Sequence, residues 1–109
     1  MKWKISELPE VEKDYKLLDG TQLRLVNKAI YKVSQNPLPQ NEGGYGAPLG
    51  NKDGRNLTGC YKIKLHGAGL RVVYKLVRTE TEMLVIVVGA RADEEVYDTA
   101  AHRLAKYGL

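Results

Sequence analysis

Residues 83–89 read MLVIVVG, a run without a single polar side chain. A run this short is either a strand covered on both faces or a piece of buried helix. Its length and its β-branched content favour the strand. Such a strand sits centrally in a covered sheet, so the rest of the chain must supply its neighbours and its cover.

Two strand candidates come just before it, at 57–65 and 70–77, joined by His66-Gly67-Ala68-Gly69, a sequence suited to a hairpin turn. At the N-terminus, KWKIS at 2–6 alternates Trp3 and Ile5 with polar neighbours and reads as a short strand. ELPEVEKDYKLL then places Val11, Tyr15 and Leu18 at helical spacing, with acids near the start and Pro9 fitting the first turn. Asp19-Gly20-Thr21 breaks that helix and caps the next, in which Leu23, Val26, Ile30 and Val33 form one stripe across 22–35. The two helices are expected to form a hairpin. Asp93-Glu94-Glu95 opens a last helix with Val96, Ala100 and Leu104 on its inner side. The predicted order is β-α-α-β-β-β-α: an α+β fold with a small antiparallel sheet, an N-terminal helical hairpin and a C-terminal helix. A length of 109 residues suits one domain spanning 1–109.

The segment 36–59 stands apart, holding six of the eleven glycines and three of the four prolines. Glycine raises the entropy cost of ordering and proline withholds a ladder hydrogen bond. It reads as one long loop, functional or mobile.

The net charge of +4 is a weak pointer to an anionic partner. Cys60 is the one cysteine, which excludes an intramolecular disulfide and a cysteine-based metal site. Its place before an apolar strand suits a buried thiol better than a nucleophile. No apolar run suits a signal peptide or a membrane span, so the expected location is the cytoplasm.

Register raises the sharper question. Closing the hairpin at His66–Gly69 sets Leu65 opposite Leu70, Lys64 opposite Arg71 and Lys62 opposite Val73. Directly opposed residues point to the same face. Lys62, Lys64 and Arg71 therefore converge, with Lys75 one step further along. From Gly54 to Thr79 there are six basic residues and no acidic one, so nothing local neutralises the cluster. A solvated basic face is one reading. A phosphate site is the other, in which each cation stabilises phosphate charge and a neighbouring tyrosine stacks on a base. Crowding by like charges lowers a lysine's pKa from its reference of about 10.4, which suits a general base.

CYKIKLHGAGLRVVYKLV followed by VVGARADEEVY resembles the RelE branch of the RelE/ParE toxin superfamily, the toxins of bacterial toxin–antitoxin pairs. The likeness is strongest over 59–104, and the element order extends it along most of the chain. It implies a type II toxin that is a ribosome-dependent mRNA endonuclease. Such enzymes cut in the A site with the RNA's own 2′-hydroxyl, leaving a 2′,3′-cyclic phosphate and a 5′-hydroxyl. Carried over by position, the family's basic residues fall on Lys62, Lys64, Arg71 and Arg91, and its catalytic-site tyrosine on Tyr97. In that scheme Lys64 takes the 2′-hydroxyl proton, and Lys62 and Arg71 hold the scissile phosphate. Arg91 stabilises the departing oxygen as a fixed charge, and Tyr97 positions the nucleotide. The implied partners are a cognate antitoxin and the ribosome with its mRNA, with no cofactor, metal or membrane. His102 and His66 are expected to be a surface helix residue and a turn residue. Two other readings stay open: a ParE-like toxin that binds DNA gyrase without turnover, a branch that generally lacks these cations, and a basic RNA-binding module that does not cut.

Overall fold

The computed structural model describes residues 3–52, 54–90 and 93–109. The elements are β1 (Lys4–Glu7), α1 (Val11–Lys16), α2 (Gly20–Ser34), β2 (Ala47–Lys52), β3 (Arg55–Leu65), β4 (Leu70–Val77), β5 (Glu82–Gly89) and α3 (Asp93–Lys106). One five-stranded sheet runs in the order β1-β5-β4-β3-β2. β1 pairs parallel with β5, and every other pair is antiparallel.

The apolar run at 83–89 is β5, held between β1 and β4. Met83, Val85, Ile86, Val87 and Val88 are all buried, so both of its faces are covered, as its composition requires. Val72, Val73 and Tyr74 of β4 are likewise buried in succession. α2 packs on β3 and β4 over the face that carries Ile63 and Tyr74, while α3 packs across β3, β4 and β5 over the face that carries Val73 and Val87. Val96, Ala100 and Leu104 form the buried side of α3, as its spacing predicts.

Asp19 caps α2 as expected. The Gln22 N–H donates to its carboxylate at 2.8 Å and the Asp19 N–H donates to the Gln22 side chain at 3.0 Å, a closed capping box. α1 is shorter than its apolar spacing suggests, because β5 competes for its first residues. Glu7 pairs with Val85, and the Leu8 N–H donates to the Val85 carbonyl at 3.0 Å. Pro9 then lies in the turn before the helix rather than in its first turn.

β1 ends at Glu7, so the outer edge of β5 loses its strand partner beyond Val85. A side-chain pair takes over. The Val88 N–H donates to Asp14 Oδ2 at 3.0 Å, and Arg103 Nη1 donates to the Ile86 carbonyl at 3.0 Å. Asp14 of α1 and Arg103 of α3 also bind each other through two hydrogen bonds, at 2.7 and 2.9 Å. Both side chains are about nine-tenths buried, with relative exposures of 10% and 11%. This ion pair replaces a strand where the backbone needs partners.

The segment 36–59 is not one open loop. It contains all of β2 and the start of β3, which pair antiparallel with a register shift between Pro48 and Gly50. Proline and glycine are tolerated because β2 is an edge strand. The part before β2 is folded on itself. Tyr74 Oη, buried, donates to the Pro37 carbonyl at 2.8 Å, and Arg78 grips Glu42 with two hydrogen bonds at 2.8 and 3.1 Å. Gly44 and Gly46 are there for close approach: a Cβ on Gly44 would stand 2.1 Å from the Leu38 carbonyl oxygen, and one on Gly46 2.6 Å from Tyr74 Oη. Gly44→Ala is therefore expected to cost about 2 kcal/mol or more, since backbone is the obstacle. Gly67→Ala, which meets open space, should stay within about 0.5 kcal/mol in the same denaturant titration. Equal stabilities would contradict the folded loop.

Among the described residues, no helix is long and apolar enough to cross a membrane.

Candidate active site

The β3–β4 hairpin sets the site. A short 3-10 turn at His66–Ala68 and left-handed Gly69 (φ +65°) close it. The register is the one the turn predicts: Leu65 faces Leu70, Lys64 faces Arg71, Lys62 faces Val73 and Cys60 faces Lys75. Lys62, Lys64, Arg71 and Lys75 therefore share one face of the sheet, and all four are partly buried. On the far side of Arg71 lies Gly89 of β5. Arg71 Nη1 donates to the Gly69 carbonyl at 3.4 Å, a bond that ties the arginine to its own turn. Lys64, Arg71, His66 and Leu65 line a small cleft of about 70 Å³.

The other cations of the hairpin are placed differently. The stretch 54–79 has no acid of its own, yet the fold brings acids to both ends of it. Arg55 pairs with Asp98 of α3, and Arg78 with Glu42 of the folded loop. These guanidinium partners hold the Asp98 and Glu42 carboxyls below the usual carboxylate range. Arg55 and Arg78 thus fasten elements together, and the group central to the sheet face is the set the register singles out.

Tyr97 lies in α3 at 2% exposure, inside the core on which that helix packs. It is near the sheet as expected, but its ring is not presented for stacking in this arrangement. Arg91 lies outside the described residues. His102 is exposed on α3 and His66 sits exposed in the hairpin turn, both as the sequence suggests. Among the described residues no three His, Cys, Asp or Glu side chains come together to hold a metal ion.

Cys60 is 1% exposed, and burial pushes its thiol up to about 11 despite the opposing pull of the Lys75 ammonium. At pH 8 that leaves about one thiol in a thousand ionised. A thiol reagent should therefore react with the native protein only as fast as the protein unfolds. Stoichiometric labelling within minutes, without denaturant, would contradict the burial.

Sequence reasoning passed over two residues that adjoin this site, Lys32 of α2 and Tyr45 of the folded loop. Both line a groove that reaches Lys62 and Lys64. The one local signal was the triplet Gly44-Tyr45-Gly46, an aromatic held between two glycines.

Several solved toxin structures share this α+β fold. The structure of a double arginine-to-alanine mutant of Escherichia coli toxin RelE in the free state matches with a TM-score of 0.74 at 27% identity, covering 95% of this chain and 99% of that one. A second RelE mutant structure, in complex with an antitoxin RelBc peptide, matches with a TM-score of 0.66 at 28% identity, covering 92% and 95%. In sequence, the mRNA interferase toxin RelE of Escherichia coli is 32% identical over 92 residues, 84% of this chain and 86% of that protein. A scan against protein-family models finds no match. The chain belongs to the RelE branch of the RelE/ParE toxin superfamily.

Proposed function

We propose that this chain is the toxin of a type II toxin–antitoxin pair and that it cuts mRNA in the ribosomal A site. The observation that carries the reading is the facing of Lys64 and Arg71 across β3–β4, with Lys62 on the same side. RNA supplies its own nucleophile, so the protein has to accept a proton, hold a phosphate and stabilise charge. Lys64 takes the proton of the ribose 2′-hydroxyl as that oxygen attacks the adjacent phosphorus. Lys62 and Arg71 stabilise the charge that builds on the phosphoryl oxygens. The bond to the 5′-oxygen breaks and that oxygen takes a proton from water, leaving a 2′,3′-cyclic phosphate on one fragment and a 5′-hydroxyl on the other. Arg91 opposes the charge on the departing oxygen, since a guanidinium stays protonated. Tyr97, buried in α3, acts as a positioning residue that keeps the helix seated beside the cations.

The action belongs to the cytoplasm, where ribosomes and mRNA meet. A cognate antitoxin is the expected protein partner, by analogy with the RelE that is held by a RelBc peptide. The test is induced expression with growth and mRNA ends followed together. Growth arrest with new ends inside coding sequence supports the reading. Arrest with intact mRNA and inhibited supercoiling would move the protein to the gyrase-binding mode, and RNA binding without new ends would leave it a binding module.

A further inference from the structure

The groove between α2, the folded loop and β3 lies on the α2 side of β3, the face that carries Ile63, opposite the face that carries the Lys62 and Lys64 side chains. Its volume is about 580 Å³, and it is lined by Lys32, Gln40, Tyr45 and the segment from Lys62 to His66, where β3 runs past its pairing with β2 at Ala47. No carboxylate is among the described residues that line it. The other two large clefts differ: one contains the Asp14–Arg103 pair, and the other contains Glu10 and Asp98. The acid-free groove also abuts the small cleft between Lys64 and Arg71. The two share Lys64, Leu65 and His66.

Tyr45 is the second observation. Its ring is half exposed, yet the backbone beneath it is fixed. The Tyr45 N–H donates to the Asn36 carbonyl at 2.9 Å, and on each side a glycine fits where a Cβ would collide. The Lys32 ammonium lies 5.5 Å from the ring centroid, so a cation and an aromatic surface are held together at the groove. A rigid, exposed ring beside lysines is the pairing that takes a stacked base and its phosphate.

We propose that this groove is a nucleotide subsite for the messenger strand next to the cut. The ribonucleotide adjoining the scissile phosphate lies along it, with its base against Tyr45 and its phosphate near Lys32, and the strand crosses the edge of β3 to reach the Lys64–Arg71 cleft on the opposite face. This rests on the reading of the Lys64–Arg71 cleft as the cleavage site. It gives the enzyme a contact to a base outside the reacting bond, and so a source of sequence preference.

The test compares wild type, Tyr45→Ala, Tyr45→Phe, Lys32→Gln and Arg71→Ala in a translating extract, with every mRNA end mapped and quantified. Tyr45→Ala should lower cleavage about tenfold or more, the loss of one base stack, and flatten preference at the flanking nucleotide. Tyr45→Phe should stay within about twofold of wild type, because it keeps the ring. Lys32→Gln should weaken cleavage and make it less sensitive to salt. Each of these variants should melt like wild type, since both side chains are at the surface. Sedimentation with ribosomes lacking mRNA is the control, and Tyr45→Ala should bind them as wild type does. If Tyr45→Ala cuts as wild type while Arg71→Ala does not, the subsite is refuted and the cleavage site stands. Equal loss of binding to mRNA-free ribosomes would assign the groove to the ribosome itself and overturn the messenger assignment. A folded wild type that cuts no mRNA would remove the cleavage reading, and the subsite with it.

Discussion

Lys64→Met should lose cleavage by a hundredfold or more and unfold within a few degrees of the wild-type temperature. A positioned general base contributes about 10²–10⁴ in rate. The fold should tolerate the change. Lys64 is only partly buried, and methionine keeps its apolar stem. Arg71→Ala should act in the same direction, by tenfold at the least, through lost charge stabilisation. Single-turnover cleavage and a thermal melt on the same preparations check both halves. A variant that is folded and fully active would remove Lys64 from the chemistry.

Asp14→Ala should cost about 3–5 kcal/mol, the largest stability loss expected of any single substitution at a polar residue here. Three losses coincide. The Arg103 guanidinium stays buried without its counter-charge, two charge-assisted hydrogen bonds vanish, and the Val88 N–H at the edge of β5 loses its acceptor. For a domain of this size the melting temperature should fall by about 12 °C or more. Arg103→Met should also be costly, because it strands Asp14 and the Ile86 carbonyl. The double variant should cost less than the sum of the two, since no charge is then left behind. Additive losses, or a melting temperature within about 3 °C of wild type for Asp14→Ala, would show that the pair does not stand in for a strand.

The parts of the fold governed by local rules were legible in the sequence. The hairpin turn fixed the register residue by residue, so the facing of Lys64 and Arg71 could be counted out from Leu65 and Leu70. MLVIVVG has the length and branching of an interior strand, and Asp19 has the side chain and the position to cap α2. The parts that depend on distant partners were hidden. β2 escaped because its proline and glycines argue against a strand, an argument that lapses at a sheet edge. α1 lost its first residues to parallel pairing with β5, which no local pattern announces. The pair Asp14–Arg103 joins residues 89 positions apart, so its two ordinary surface-type residues gave no sign of burial. Within the candidate site, the lysines and Arg71 lay where strand alternation puts them. The depth of Tyr97 was not legible, because helical spacing alone does not say how closely α3 sits on the sheet. Lys32 and Tyr45 come from two elements that only the folded loop brings together.

The most direct measurement of the central claim is the chemistry of the ends left on mRNA in a translating extract, wild type beside Arg71→Ala at equal folded concentration. The account predicts fragments with 2′,3′-cyclic phosphate and 5′-hydroxyl ends in the wild-type reaction, reduced at least tenfold in the variant. Fragments ending in a 5′-phosphate, or equal yields from the two proteins, would contradict it.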